Sequence, residues 1–183
     1  MSDDEVLPSG EASATAADGA LRGAVIAGAV PGQPTRVLKE AARYAALLRA
    51  PLVVTHVDVT RFVTYEDPDG FIQTAPIDIN VDAGAEDLDA VKRAASEALA
   101  DHDVDWSVRQ LVGDPALALK HFADKIDARL IVVGTRKRGI GDSIREFFTG
   151  SVAARLSHRQ HRSILVVPVG EPLQDDEDWP IEE

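Results

Sequence analysis

The residues best suited to chemistry in this sequence are the glycines between two apolar runs near its C-terminal end. The first run ends at Gly134, and Gly150-Ser151 opens a segment with helical spacing that leads into the second run, Ile164 to Val167. Phosphate sites are often built from a strand, a glycine-bearing loop, a helix and a second strand in this order. The backbone N–H groups at the helix start and in the glycine turn bind the anion. The sequence therefore predicts an anion site between Gly134 and Ser151.

Basic side chains surround the predicted site. Residues 136–162 contain seven Lys or Arg against two acids, which gives a local net charge of +5. Positive charge beside a helix N-terminus favours a polyphosphate or another anion. The alternative is that these bases pair with acids of the domain or of its acidic ends, and both interpretations stay open.

Other reactive arrangements are missing from the sequence. It has no Gly-Lys-Ser/Thr, so a P-loop is excluded, and no nucleophile elbow surrounds Ser151. His158 and His161 have no acidic partner spaced for a metal site, and the absence of cysteine excludes thiolate ligands and disulfides. We expect no catalytic residue and no metal ligand, although slow ATP hydrolysis stays open with Asp142 as the one acid well placed in the loop.

The net charge of −12 lies at the two ends of the chain. Residues 1–20 hold five acids and residues 170–183 hold seven, with no Lys or Arg in either, so residues 21–169 carry 19 acids and 19 bases. This distribution predicts disordered acidic tails at 1–20 and 170–183 around one neutral domain at 21–169. A neutral domain disfavours nucleic acid binding.

No apolar run approaches the ~18 residues of a membrane span, and the acidic N-terminus is unlike a signal peptide, so we expect a cytoplasmic protein.

Strand and helix patterns alternate along the domain. Short apolar runs predict five strands, which are Ala24–Val30, Pro51–Val59, Asp105–Val112, Arg129–Val133 and Ile164–Val167. Helical spacing covers residues 35–49, 86–100 and 115 to about 127, the last with Asp114 as N-cap. Residues 61–85 are irregular and predict a flap or an elaboration with a hairpin, since Asp67–Gly70 is a turn signal between β-prone pieces.

This alternation predicts a three-layer, doubly wound α/β domain with a five-stranded parallel sheet. Ligands of such folds bind beyond the carboxyl ends of the strands, where the strand order reverses. The loops that follow the first and fourth strands, Ala29–Pro34 and Gly134–Ser151, are therefore the expected walls of a binding cleft.

Several motifs resemble the universal stress protein family. They are VVGTRKRG and FFTGSVAARLSHRQHRSILVVP near the C-terminal end, Gly113-Asp-Pro-Ala before the third helix, and His56-Val57 in the second strand. The resemblance spans about residues 22–168 and implies the strand order 3-2-1-4-5. It also implies a homodimer made through the last strand, Ser163 to Val169, whose exposed edge needs a partner.

The same resemblance implies where a nucleotide, with ATP as the candidate, would bind. The residues that it assigns to phosphate and ribose are Gly134, Thr135, Arg136, Gly150, Ser151 and Val152, and those that it assigns to the adenine pocket are Ala29, Val57 and Val133. The sequence departs from the family's ATP-binding pattern in three ways. Lys137 replaces the second glycine, Val30 replaces an aspartate, and the spacer before Gly150 has twelve residues where the pattern has nine. Two functions therefore stay open, a nucleotide-binding stress-response module and a dimeric protein-interaction module that binds no nucleotide.

Overall fold

The computed structural model describes residues 18–66, 72–76, 83–135 and 152–170. In chain order the elements are β1 (Val25–Gly28), α1 (Arg36–Leu48), β2 (Leu52–Asp58), β3 (Arg61–Glu66), β4 (Ile72–Pro76), α2 (Ala83–Leu99), β5 (Trp106–Val112), α3 (Pro115–Lys125), β6 (Leu130–Gly134), α4 (Val152–Ser157) and β7 (Ser163–Val167). Within these ranges, no helix is long and apolar enough to cross a bilayer.

Five strands form one parallel sheet in the order β5-β2-β1-β6-β7. Counted along the chain, this order is 3-2-1-4-5, so the predicted fold and strand order are confirmed. β1 lies at the centre, where Val25 pairs with Leu52 on one side and with Leu130 on the other. A strand covered on both faces must be apolar at every position, which explains why its residues form a continuous run.

Alternate residues of each strand enter two separate core clusters. Val25, Leu52 and Val132 pack under α1 and α2. Ile26 and Ile131 pack on the opposite face under α3 and α4, around Phe122 and Leu156. The two faces of the carboxyl edge are therefore bounded by different helices, with the starts of α1 and α3 on opposite sides.

The segment at 61–85 contains a hairpin, one of the two predicted alternatives. β3 and β4 pair antiparallel, with a register shift between Val63 and Tyr65, and the Asp67–Gly70 turn signal lies outside the described residues. The following helix begins at Ala83, three residues earlier than its apolar spacing indicates. Gly84 weakens the helical pattern but is needed there, because a Cβ at this position would lie 2.5 Å from Asp58 Oδ2.

Ion pairs join the segment before β1 to the domain. Residues 18–20 are helical, and Asp18, whose side chain is 11% exposed, pairs at 2.9 Å with both Arg109 Nη2 and Lys125 Nζ. Arg162, one of the bases near the predicted anion site, pairs instead with Asp124 of α3. The predicted tails fall on residues outside the described part of the chain, apart from 18–20 at the N-terminal boundary and Gly170 at the C-terminal one.

Candidate functional site

The crevice expected from the strand order lies between the ends of β1 and β6. β2 lies beside β1 on one side, β6 on the other, and the chain reverses its direction of winding between them. Helix α1 follows β1 on the face opposite α3, so the loops after β1 and β6 diverge from this point. Such a divergence at the carboxyl edge is where α/β folds bind their ligands.

Gly134 ends β6 in a position where any side chain would have to displace its neighbours. A Cβ there would lie 2.4 Å from Gln33 Nε2, 2.9 Å from Val169 Cγ1 and 3.1 Å from Val37 Cγ2. The segment 33–37 and Val169, both distant from residue 134 in sequence, therefore meet at this glycine. The glycine at 134 is explained by this packing on the α1 face, independently of any ligand.

The loop after β1 brings Gln33 to Gly134. Its Oε1 accepts a hydrogen bond from the Val30 N–H at 3.1 Å, and its own N–H donates to the Val30 carbonyl oxygen at 3.2 Å. Val30, which stands where the family's ATP-binding pattern has an aspartate, is 58% exposed. The β1 side of the crevice therefore presents an apolar side chain and a carboxamide, and no carboxylate.

The described part of the predicted site divides between the two faces of the sheet. Val133 is buried in the cluster under α3 and α4, and Val57 and Val152 pack against it. Ala29 is 6% exposed and belongs to the opposite cluster, under α1. Three of the predicted residues thus share one face, while Ala29 reaches the crevice from the other.

Thr135 is tied into the strand edge. Its N–H donates to the Val167 carbonyl oxygen at 2.9 Å, and its hydroxyl accepts a hydrogen bond from the Val169 N–H at 2.9 Å. The backbone donor of Thr135 is therefore occupied, and its hydroxyl already accepts one hydrogen bond but retains its own proton to donate. The other predicted phosphate residues, Arg136, Gly150 and Ser151, lie outside the described residues.

An ion pair joins the starts of α3 and α4. Asp114 caps α3 by accepting the Leu117 N–H at 3.0 Å, as its position before Pro115 predicts. Its Oδ2 also accepts a hydrogen bond from Arg155 Nη1 at 2.6 Å. Burial of the Asp114 carboxyl would raise its pKa, but the hydrogen bond from Arg155, the backbone N–H donors and the Arg155 charge together hold the pKa below its usual value.

Near its carboxyl end, β2 buries the ionisable residues His56 and Asp58. His56 is 4% exposed, with Nδ1 lying 3.4 Å from the Ala29 carbonyl oxygen and Nε2 without a partner in the described ranges. Asp58 is also 4% exposed, and its Oδ1 accepts the Thr60 N–H at 2.9 Å and the Thr60 hydroxyl at 2.6 Å. Thr60 and Gly84 therefore enclose the Asp58 carboxylate, and its Oδ1 is already occupied by two hydrogen bonds.

Two contributors to the geometry of the site were not predicted from the sequence. They are the Gln33 side chain and the ion pair between Asp114 and Arg155. Gln33 belongs to no motif, and its contact with Gly134 spans 101 positions. Asp114 and Arg155 are 41 positions apart, although one is a predicted cap and the other a predicted anion-binding base. The excess of basic residues after Gly134 was the one sequence feature that pointed to Arg155. Within the described ranges, no cluster of three or more His, Asp or Glu is arranged to hold a metal ion.

Comparisons with known proteins agree with the fold. A sequence profile described as "Universal stress protein family" matches residues 26–168. A search of curated proteins found no match.

Among solved structures, the chain is similar to a universal stress protein in complex with cAMP, with 22% identity, a TM-score of 0.52 and coverage of 82% of this chain and 99% of that one. It is similar to the universal stress protein from Archaeoglobus fulgidus in complex with dAMP, with 20% identity, a TM-score of 0.51 and coverage of 80% and 98%. A protein of this family from Burkholderia pseudomallei shares 27% identity, with a TM-score of 0.50 and coverage of 80% and 96%.

Proposed function

Since the chain belongs to the universal stress protein family, we propose that it is a stress-response module that binds an adenine nucleotide, with ATP as the candidate, between the β1 loop and the end of β6. The observation that carries this proposal is the position of Gly134, which lies at the reversal of strand order beside β1. The complexes of two similar proteins with cAMP and dAMP support an adenine nucleotide as the ligand class.

The residues present suit such a ligand. Val57 and Val152, which are half-buried against the cluster that contains Val133, offer apolar side chains on one face of the sheet for a base or ribose. Arg136 adds positive charge directly after Thr135, and Gly150-Ser151 directly precedes α4. The proposed role is binding without catalysis in the cytoplasm, and measurement of ATP turnover by the purified protein tests the first part.

Mass spectrometry of small molecules released from the purified, denatured protein tests the proposal, followed by calorimetric titration with Mg·ATP. We expect a stoichiometric adenine nucleotide, or saturable ATP binding, that is lost in Gly150→Glu because a carboxylate then stands at the glycine assigned to phosphate. Gly170→Glu is the matched control, since no described residue other than its chain neighbours has an atom within 4 Å of a Cβ at Gly170. A protein that is empty and gives no heat up to millimolar ATP contradicts the proposal.

A second candidate is a dimeric protein-interaction module that binds no nucleotide. Exposed Val30 favours it, because this position lacks the aspartate of the ATP-binding pattern. In both candidates we propose a homodimer through Ser163–Val169, since β7 is an edge strand of the sheet and its Val166 is 43% exposed. An empty protein that is dimeric in solution would favour this second function.

A further inference from the structure

The orientation of the Gln33 side chain is fixed by the turn that precedes it. Residues 30–33 form a turn closed by the hydrogen bond from the Gln33 N–H to the Val30 carbonyl oxygen. Pro31 occupies its second position and Gly32, with φ +69°, its third, as a type II turn requires. Gln33 then folds back so that Oε1 accepts the Val30 N–H. This bond fixes which end of the carboxamide faces Val30, because the Nε2 end could not accept it.

The Nε2 group of Gln33 consequently faces Gly134. It lies 2.4 Å from the position that a Cβ of residue 134 would occupy, so the absence of a side chain there is what admits it. A carboxamide nitrogen carries two N–H donors. Neither has an acceptor among the residues that the structure describes, and the Gln33 residue is half-buried, so part of it remains exposed.

The charges around this donor favour an anionic acceptor. Val30 contributes no charge, and the carboxylate of Asp58 is occupied by Thr60 and enclosed by Gly84. Directly after Gly134-Thr135 the sequence continues with three bases, residues 136–138. A neutral donor beside Gly134, which three bases follow in the sequence, suits a phosphate oxygen, and within the described ranges the Asp58 carboxylate is already engaged.

We propose that the Gln33 carboxamide determines specificity at this site, and that its Nε2 donates a hydrogen bond to a phosphate oxygen of the bound nucleotide. This inference rests on the proposed nucleotide-binding function. The carboxamide supplies a phosphate-directed donor on the β1 side of the crevice, where the family's ATP-binding pattern has a carboxylate at position 30.

The variant Gln33→Glu tests the inference. Glutamate retains an oxygen that accepts the Val30 N–H, so the turn is kept, while both donors are replaced by a negative charge. We expect the affinity for ATP and AMP in calorimetry to fall about tenfold to a hundredfold, as for the loss of a hydrogen bond to a charged group. Gln33→Ala should lower it less, because it removes the donors without adding repulsion. Adenosine, measured by displacement of a fluorescent ATP analogue, should bind both variants as it binds the wild type.

Gln160→Glu is the matched control. It makes the same charge change next to the start of β7, at the opposite end of the sheet, where Gln160 bonds only with Arg162 in the described ranges. Unchanged ATP affinity in Gln33→Glu, or an equal loss for adenosine and ATP, would overturn the role of Gln33 while leaving nucleotide binding intact. A wild-type protein that binds neither AMP nor ATP would instead overturn the proposed function, and this inference with it.

Discussion

The pair formed by Asp114 and Arg155 allows a quantitative test of how the site is held together. Asp114→Asn keeps an oxygen for the Leu117 N–H, so the cap of α3 remains, but it removes the charge that Arg155 contacts at 2.6 Å. The two side chains are 24% and 21% exposed. Exposed pairs contribute about 0.2–1 kcal/mol and hydrogen bonds to charged groups about 1.5–3 kcal/mol.

With about a fifth of each side chain exposed, the pair falls between these limits, and we expect Asp114→Asn to lower the free energy of unfolding by about 1 kcal/mol at pH 7. Asp114→Ala also removes the cap, which contributes about 1 kcal/mol more. Urea unfolding measures both losses, because at a slope of about 2 kcal/mol per molar the Asn variant should unfold about 0.5 M earlier. Asp103→Asn is the control, since the exposed Asp103 pairs with no described residue.

The pH dependence provides a second criterion. The folded-state pKa of Asp114 lies below its usual value of 3.8, so the pair's contribution is complete above the usual value and is lost as the pH falls through the folded-state pKa. The difference between wild type and Asp114→Asn should therefore be full at pH 7 and shrink below about pH 4. Equal urea midpoints at pH 7, or a difference that persists undiminished at pH 3, would refute the assigned role of the pair.

Three further variants test other parts of the structure. Gly134→Ala should destabilise the protein by about 1–3 kcal/mol in urea unfolding, because its Cβ would lie 2.9 Å from Val169 Cγ1 and 3.1 Å from Val37 Cγ2 and would also displace the Gln33 side chain. Gly170→Ala, around which the described residues leave open space, should not, and equal effects would contradict the packing described. Val166→Lys should convert the proposed dimer to a monomer in light scattering, since it places a charge on the exposed edge of β7; an unchanged mass would mean that this edge forms no dimer. Asp18→Asn should cost about 1 kcal/mol in thermal unfolding by weakening two ion pairs, and no change in melting temperature would show that this segment adds no stability.

The sheet was largely predictable from the sequence, because its strands are buried on both faces. A strand such as Leu52–Asp58 must be apolar through most of its length, and a continuous run of this kind is visible without any structure. The start of α2 was less predictable. Gly84 is not part of the apolar spacing of α2, and glycine is a poor helix former. A glycine is needed there because the carboxylate of Asp58, 26 positions earlier in the chain, lies against it.

The crevice was predictable in position but not in composition. Its place follows from the alternation of strands and helices, whereas its donors depend on contacts between distant segments. The spacing of glycines assigns Gly134 to a ligand, yet the structure packs Gln33, Val37 and Val169 against it. The glycine motif therefore points to Gly134, but it does not predict how Gly134 packs. No local sequence pattern shows which side chains from other segments meet there.

Separate interactions hold the two walls of the crevice in place. Gln33 and Gly134 meet on the face of α1, whereas Asp114 and Arg155 meet on the face of α3 and α4. The two contacts share no residue and have the sheet between them, so their free energies should be nearly additive. A substitution in the β1 loop, such as Val30→Asp, should therefore change the proposed ligand preference of the crevice without loosening α4 on the other side.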